Sequence, residues 1–131
     1  MRILMVGGSG YVGSLMLPGL SARHKIRVLD PQPPSADGDH GVEHIVGSAL
    51  DPAALAAGLD GVDAVIHAAM GRPSASDWPF PDLTSAFEVN VASVYATLDA
   101  AHRAGVRRAV LTSSMSVFSE TPVRLPDRDV D

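Results

Sequence analysis

Three glycines stand three residues apart, Gly7, Gly10 and Gly13, in the run Val6-Gly-Gly-Ser-Gly-Tyr-Val-Gly13. A glycine turn that feeds straight into a helix suits phosphate, because the first backbone N–H groups point outward and the helix dipole favours an anion. Gly7 would let the chain turn tightly, Gly10 would let the backbone approach a pyrophosphate, and Gly13 would allow close helix–strand packing. The donors would be the N–H groups around Tyr11 and Val12. Glycines at a strand–helix turn can also do no more than relieve crowding. Asp30 lies twenty residues beyond Gly10, where a carboxylate accepts hydrogen bonds from ribose hydroxyls and repels a 2′-phosphate. Pro31 follows it rather than an arginine, which favours NAD over NADP; the other reading makes Asp30 a turn residue before proline.

Other reactive side chains carry weaker patterns. His40 and His44 are four apart, but they flank a loop-to-strand junction with no third ligand near, so no metal site is expected. His67 falls at a strand end and reads as a residue that fixes local backbone rather than as a base. His102 falls in the last turns of a helix, where positive charge is favourable. Trp78 sits in a proline-punctuated loop, as a lid or as a surface anchor.

The elements that must position these residues follow from apolar patterning. Arg2–Val6 reads as a strand covered on both faces, and Ser14–Arg23 as a helix with Leu15, Met16, Leu17 and Leu20 at helical spacing and an awkward Pro18 inside it. Ile26–Leu29, Val42–Val46, Val62–Ala68 and Arg107–Thr112 read as further strands. Asp51-Pro52 has the form of an N-cap and first helical residue for a helix through Leu59. Leu83–Ala104 is a long helix with Phe87, Val91, Val94, Leu98 and Ala101 as its apolar stripe, ended by Gly105. Pro31–Gly41 and Gly71–Pro81 are loops. The alternation predicts a Rossmann-type, doubly wound parallel α/β sheet of at least five strands. Residues 1–119 form the expected domain, and residues 120–131, with Pro122 and Pro126 among charged residues, a polar loop or chain end.

With 131 residues and 46% hydrophobic content, the chain suits one domain. No stretch approaches the roughly 18 apolar residues of a membrane span, and the run Ile3–Val6 is too short for a signal-peptide core. The absence of cysteine excludes disulfides and thiol chemistry and fits a reducing cytoplasm. A net charge of −5 argues against a generic nucleic-acid binder. The charge is lopsided: Arg2, Arg23, Lys25 and Arg27 give residues 1–29 a local +4, which would suit a phosphate-bearing ligand or an ordinary solvated face.

Together these segments resemble the extended short-chain dehydrogenase/reductase family, which includes NAD-dependent epimerases and dehydratases. Val6–Gly13 is similar to its TGxxGxxG loop, with Val6 where threonine is usual. Gly47-Ser-Ala-Leu-Asp51 resembles GD(L/V)xD, with Ser48 in place of the aspartate that meets adenine, and Asp51 better read as a helix cap. Asp63–Ala69 resembles DxVIHLAA, and Glu88-Val-Asn90-Val resembles the start of NVxGTxNLLEAA, from which Ala92-Ser93-Val94 departs. Gly105–Phe118 resembles GVKRFVYxSSxxVYG, with Phe118-Ser119 for the usual Tyr-Gly.

The resemblance implies that Ser48, Ala49, Ala68, Ala69, Asn90 and Thr112 join Gly7, Gly10, Tyr11, Val12, Gly13 and Asp30 around NAD, and that Ser114 takes the place of the catalytic serine. Asn90 alternatively makes a hydrogen bond within the helix. The implied chemistry pairs a serine with a Tyr-x-x-x-Lys element that takes a proton from a substrate hydroxyl as hydride leaves for NAD. The tyrosines here are Tyr11 and Tyr95 and the lysine is Lys25, none in that motif, so the chain is expected to stop short of it and to be inactive alone. The parent would be an oxidoreductase, epimerase or dehydratase acting on a small molecule of the sugar or nucleotide-sugar kind, without nucleic-acid or membrane partners. The second reading is a non-catalytic NAD-binding sensor or scaffold. Family members often dimerise through two long helices, of which Leu83–Ala104 is one candidate.

Overall fold

The computed structural model describes residues 1–33, 41–71 and 83–114. Strands β1 (Arg2–Val6), β2 (Lys25–Asp30), β3 (Glu43–Val46), β4 (Ala64–His67) and β5 (Ala109–Leu111) form one sheet in the order β3-β2-β1-β4-β5. Every neighbouring pair is parallel. β1 is central, and Ile3 to Val6 are buried because helices lie on both faces. One face packs Ile3, Met5, Ile26 and Val28 against Leu17 of α1 (Tyr11–Ser21). The other packs Leu4, Val6, Leu29 and Val65 against Leu55 and Leu59 of α2 (Pro52–Leu59) and Ala101 of α4 (Ser93–Arg103). This is the doubly wound arrangement expected, with strand ends shifted by one or two residues.

Local chemistry explains the boundaries. Asp51 caps α2, its Oδ1 accepting the Ala53 N–H at 2.9 Å, with Pro52 at the first helical position. Gly105 takes a φ of 76° just beyond α4. Pro18 does not end α1, which continues to Ser21. Leu15, counted among the apolar positions of that helix, faces solvent.

The long helix differs from its expected form. Residues Leu83–Phe87 make α3, Glu88–Ala92 a π-helical turn, and only then does α4 begin. The π turn inserts a residue into the winding, so the apolar stripe of the sequence does not run down one face. The buried positions on α4 are Ser93, Thr97 and Ala101, small residues spaced by four, while Phe87 and Val91 are exposed.

The basic segment turns away from the glycine turn, and three of its four charges form the solvated face that was the alternative reading. Arg2 and Lys25 open β1 and β2 and Arg23 precedes Lys25, so all three sit at the amino edge of the sheet, opposite the glycine turn. Arg27 points at α2 instead: its Nη1 donates to the carbonyls of Ala57, Gly58 and Asp60 at 2.9–3.0 Å. Its Nε lies 2.8 Å from Glu43 Oε2, a contact of charge rather than an aligned hydrogen bond. Arg27→Met keeps the stem and strips these carbonyls of their donor; it should cost about 1–2 kcal/mol in urea unfolding. An unchanged midpoint would show that Arg27 contributes nothing to closing α2.

Candidate functional site

The carboxyl ends of β1, β2 and β4 open into a cleft of about 730 Å³, at the edge where ligands bind in open α/β sheets. Its floor is the turn between β1 and α1. Gly7 has a φ of 82°, and a Cβ on it would lie 2.4 Å from the Ala69 backbone nitrogen, so both shape and space demand glycine. A Cβ on Gly13 would lie 2.5 Å from the carbonyl oxygens of Gly7 and Gly8, so the close approach is of the helix to the turn rather than to a strand. Gly10 is different: a Cβ there would meet only Gly7 O, at 3.3 Å, leaving its outer side open.

Gly10 is the N-cap of α1 and supplies no side chain, and the first turn has no acid. Its carbonyl accepts the Ser14 N–H at 2.8 Å, so the N–H groups of Tyr11, Val12 and Gly13 are the ones a helix leaves without an internal partner. Gly7, Gly10, Tyr11 and Val12 line the cleft; Gly13 lies beneath it, buried.

Asp30 is 8% exposed, yet both carboxylate oxygens are engaged. Oδ2 accepts the Ser9 N–H at 3.1 Å and Oδ1 the Gln32 N–H at 2.9 Å. Ser9 Oγ donates in turn to Gln32 O at 3.2 Å. Asp30 therefore ties the glycine turn to the segment leaving β2 while lining the cleft, so it is more than a turn residue. Each oxygen retains a lone pair for a further donor.

Ser48, Ala49, Ala68 and Ala69 also line the cleft. Ser48 Oγ accepts the Leu50 N–H at 3.1 Å and so shapes the turn into α2. Asn90, Thr112 and Ser114 are not on its wall. Asn90 does not bond within its helix: Oδ1 accepts the Gly71 N–H and Nδ2 donates to Gly71 O, both at 2.9 Å, pinning the segment after β4. Thr112 extends the β4–β5 pairing, its N–H and Oγ1 both donating to His67 O at 3.0 and 3.1 Å. Ser114 follows three residues beyond β5, exposed, on the carboxyl side of the sheet.

His67 is 2% exposed, and its Nε2 lies 2.8 Å from Ser93 Oγ. The Ser93 hydroxyl also donates to Val89 O, so one oxygen links His67 to the π turn. Beyond the local backbone role expected of it, His67 meets a side chain on another element, a contact with no local signal in the sequence. Gly8, whose Cβ would lie 2.7 Å from Val28 Cγ1, was missed too, although the doubled Gly7-Gly8 was a signal.

Burial holds the His67 pKa below its usual 6.5, favouring the neutral ring in the folded chain. The unfolded chain then binds the proton more readily below about pH 6.5, so this group removes stability as pH falls through that value and is silent above it. A melting temperature that declines from pH 7 to pH 5 is expected, with a shallower decline in His67→Gln. Parallel curves for the two proteins would contradict it.

Among the described residues no three His, Asp or Glu side chains are grouped to hold a metal, and no helix is long and apolar enough to cross a membrane. His40, Trp78 and residues 120–131 lie outside the described residues.

A parallel doubly wound sheet, with a glycine turn at one helix start and a carboxylate closing the next strand, defines a dinucleotide-binding domain. The chain belongs to the NAD(P)H-binding family, whose model matches residues 7–130. It is 36% identical over 122 residues to the 3 beta-hydroxysteroid dehydrogenase/Delta 5-->4-isomerase of Mycobacterium tuberculosis, covering 88% of this chain and 32% of that one. A short-chain dehydrogenase/reductase superfamily protein from Agrobacterium tumefaciens, crystallised with bound NAD, is 35% identical with a TM-score of 0.77, over 91% of this chain and 34% of that one. The Thermus thermophilus UDP-glucose 4-epimerase in complex with NAD is 26% identical with a TM-score of 0.69, over 83% and 36%. The resemblance to the extended short-chain dehydrogenase/reductases is thus borne out. The chain spans about a third of the length of the first curated relatives it matches.

Proposed function

We propose that the cleft binds NAD and that the whole protein is an NAD-dependent oxidoreductase, epimerase or dehydratase acting on a substrate hydroxyl. The observation that carries this is the joined glycine turn and Asp30: open N–H donors at the start of α1, and a carboxylate beside them, held by two backbone bonds with acceptor capacity left. The N–H groups of Tyr11 and Val12 meet pyrophosphate oxygens, Gly10 lets them approach, and Asp30 accepts the adenosine ribose hydroxyls. Ser48, Ala49 and Leu50 line the adenine side, and Ala68, Ala69 and Val89 the side toward β4. NAD when bound accepts or returns hydride. Asn90 and Thr112 act on this site through the backbone they hold. Ser114, at the carboxyl side of the sheet, orients a substrate oxygen by its hydroxyl.

The substrate class we favour is a sugar or nucleotide sugar, supported by likeness to the UDP-glucose 4-epimerase; the likeness to a hydroxysteroid dehydrogenase is the competing indication. A non-catalytic sensor or scaffold is the second reading; Tyr11, Tyr95 and Lys25 lie apart, on α1, on α4 and at the amino edge of the sheet. Calorimetry tests the cofactor: NAD should bind the 131-residue chain at least about tenfold more tightly than NADP, a difference of about 1.4 kcal/mol. Equal affinities would remove the discriminating role of Asp30, and no binding of either would overturn the reading.

A further inference from the structure

The wall of the cleft beside β4 is held by hydrogen bonds that nothing in the NAD reading requires. At the π turn the Ser93 N–H bonds Glu88 O, five residues back, and the Ser93 hydroxyl takes up Val89 O. The serine thus supplies with its side chain a link at the i−4 carbonyl that the π turn has diverted from its backbone. His67, buried at the end of β4, places its Nε2 2.8 Å from the same hydroxyl oxygen and so ties β4 to the link at Val89 O. Val89 and Ser93 both line the cleft. Gly71, gripped by Asn90, passes so close to Val89 that a Cβ on it would lie 2.9 Å from Val89 Cβ. Ser93 stands where the motif NVxGTxNLLEAA has glycine, which has no hydroxyl to offer.

Strand order says which part of a ligand meets this wall. Asp30 closes β2 on one side of β1, and β4 lies on the other. A dinucleotide with its adenosine ribose at Asp30 and its pyrophosphate at the glycine turn sends its second nucleoside over the end of β4. We propose that His67 and Ser93 are positioning residues for that second, nicotinamide-bearing half, setting the π turn so that Val89 and Ser93 shape the surface it lies against; the proposal rests on the NAD reading above. Neither residue acts on the adenosine half.

Titrations of the 131-residue chain with NAD and, separately, with ADP test this, since ADP carries only the adenosine and pyrophosphate. Ser93→Ala should weaken NAD about tenfold, by leaving Val89 O without its hydroxyl donor, while ADP affinity stays within about twofold. Ser93→Thr, which keeps a hydroxyl, should restore NAD affinity. Parallel losses for NAD and ADP would mean general loosening and would overturn the proposal, as would no loss for NAD or no rescue by threonine. A wild-type chain that binds ADP and NAD, with Ser93→Ala unchanged, leaves the cofactor reading standing and sinks this inference alone. A wild-type chain that binds neither sinks both. Amide hydrogen exchange gives a readout independent of ligand. In Ser93→Ala and His67→Phe it should quicken across Glu88–Val94 and stay unchanged in β1 and β2. Uniform quickening would again overturn the proposal.

Discussion

Gly13→Val abolishes NAD binding and lowers stability by more than about 3 kcal/mol. The clash is with main chain, since even a Cβ would sit 2.5 Å from two carbonyl oxygens and 2.6 Å from Gly8 Cα. No rotamer relieves that contact, so the turn must lift away from α1, and the turn is where the pyrophosphate would bind. For a domain of this size the loss amounts to about 10 °C in melting temperature, or to no cooperative transition at all. Gly19→Ala is the matching control on the same helix. A Cβ there meets nothing within 4 Å, so the change should stabilise by about 0.5–1 kcal/mol through helix propensity. Equal behaviour of the two variants would show that the glycine turn is not packed against α1 in this way.

Asp30→Ala is expected to strike both stability and binding. Two backbone N–H groups, those of Ser9 and Gln32, lose a charged acceptor in a buried setting, for about 3 kcal/mol of stability. NAD affinity should fall by about a hundredfold or more, because the ribose acceptor goes and the glycine turn loses its tether. Asp30→Asn retains one carbonyl oxygen and should fall between. Urea denaturation and calorimetry on the same samples separate the two effects. If Asp30→Ala lost NAD with its stability intact, the carboxylate would serve the ligand alone. If it kept NAD, the assignment of the ribose to Asp30 would be wrong.

Much of this molecule could be read from neighbouring residues, and what could be read shares one property: it depends on short sequence separations. The strand Arg2–Val6, the glycine turn, the Asp51-Pro52 helix start and the C-terminal Gly105 are local patterns with local causes. Asp30 was legible because the distance from Gly10 is fixed by one helix and one strand.

What escaped reading depends on contacts between distant segments. Asn90 holds Gly71, nineteen residues away, where the alternative reading had a bond within its own helix. Thr112 serves His67 across the β4–β5 seam, forty-five residues away. The apolar stripe from Phe87 to Ala101 assumed an unbroken α-helical period, and the π turn rotated its first half toward solvent. Of the two readings of the basic first segment, a phosphate-facing patch and a solvated face, the strand directions leave the second for Arg2 and Lys25, at the amino edge of the sheet. Charge along a chain carries no sign of which sheet edge it will reach.

The bare start of α1 has a thermodynamic consequence. Most helices complete their first turn with a side chain; here Gly10 offers none, and the task is left to whatever anion arrives. A ligand that binds only the folded chain adds RT ln(1 + [L]/Kd) to its stability, about 2.7 kcal/mol at a hundredfold excess over Kd. Melting temperature should then climb with the logarithm of ligand concentration, so that heat resistance reports how much nucleotide is at hand. A helix capped by its own aspartate would lack that sensitivity at its first turn.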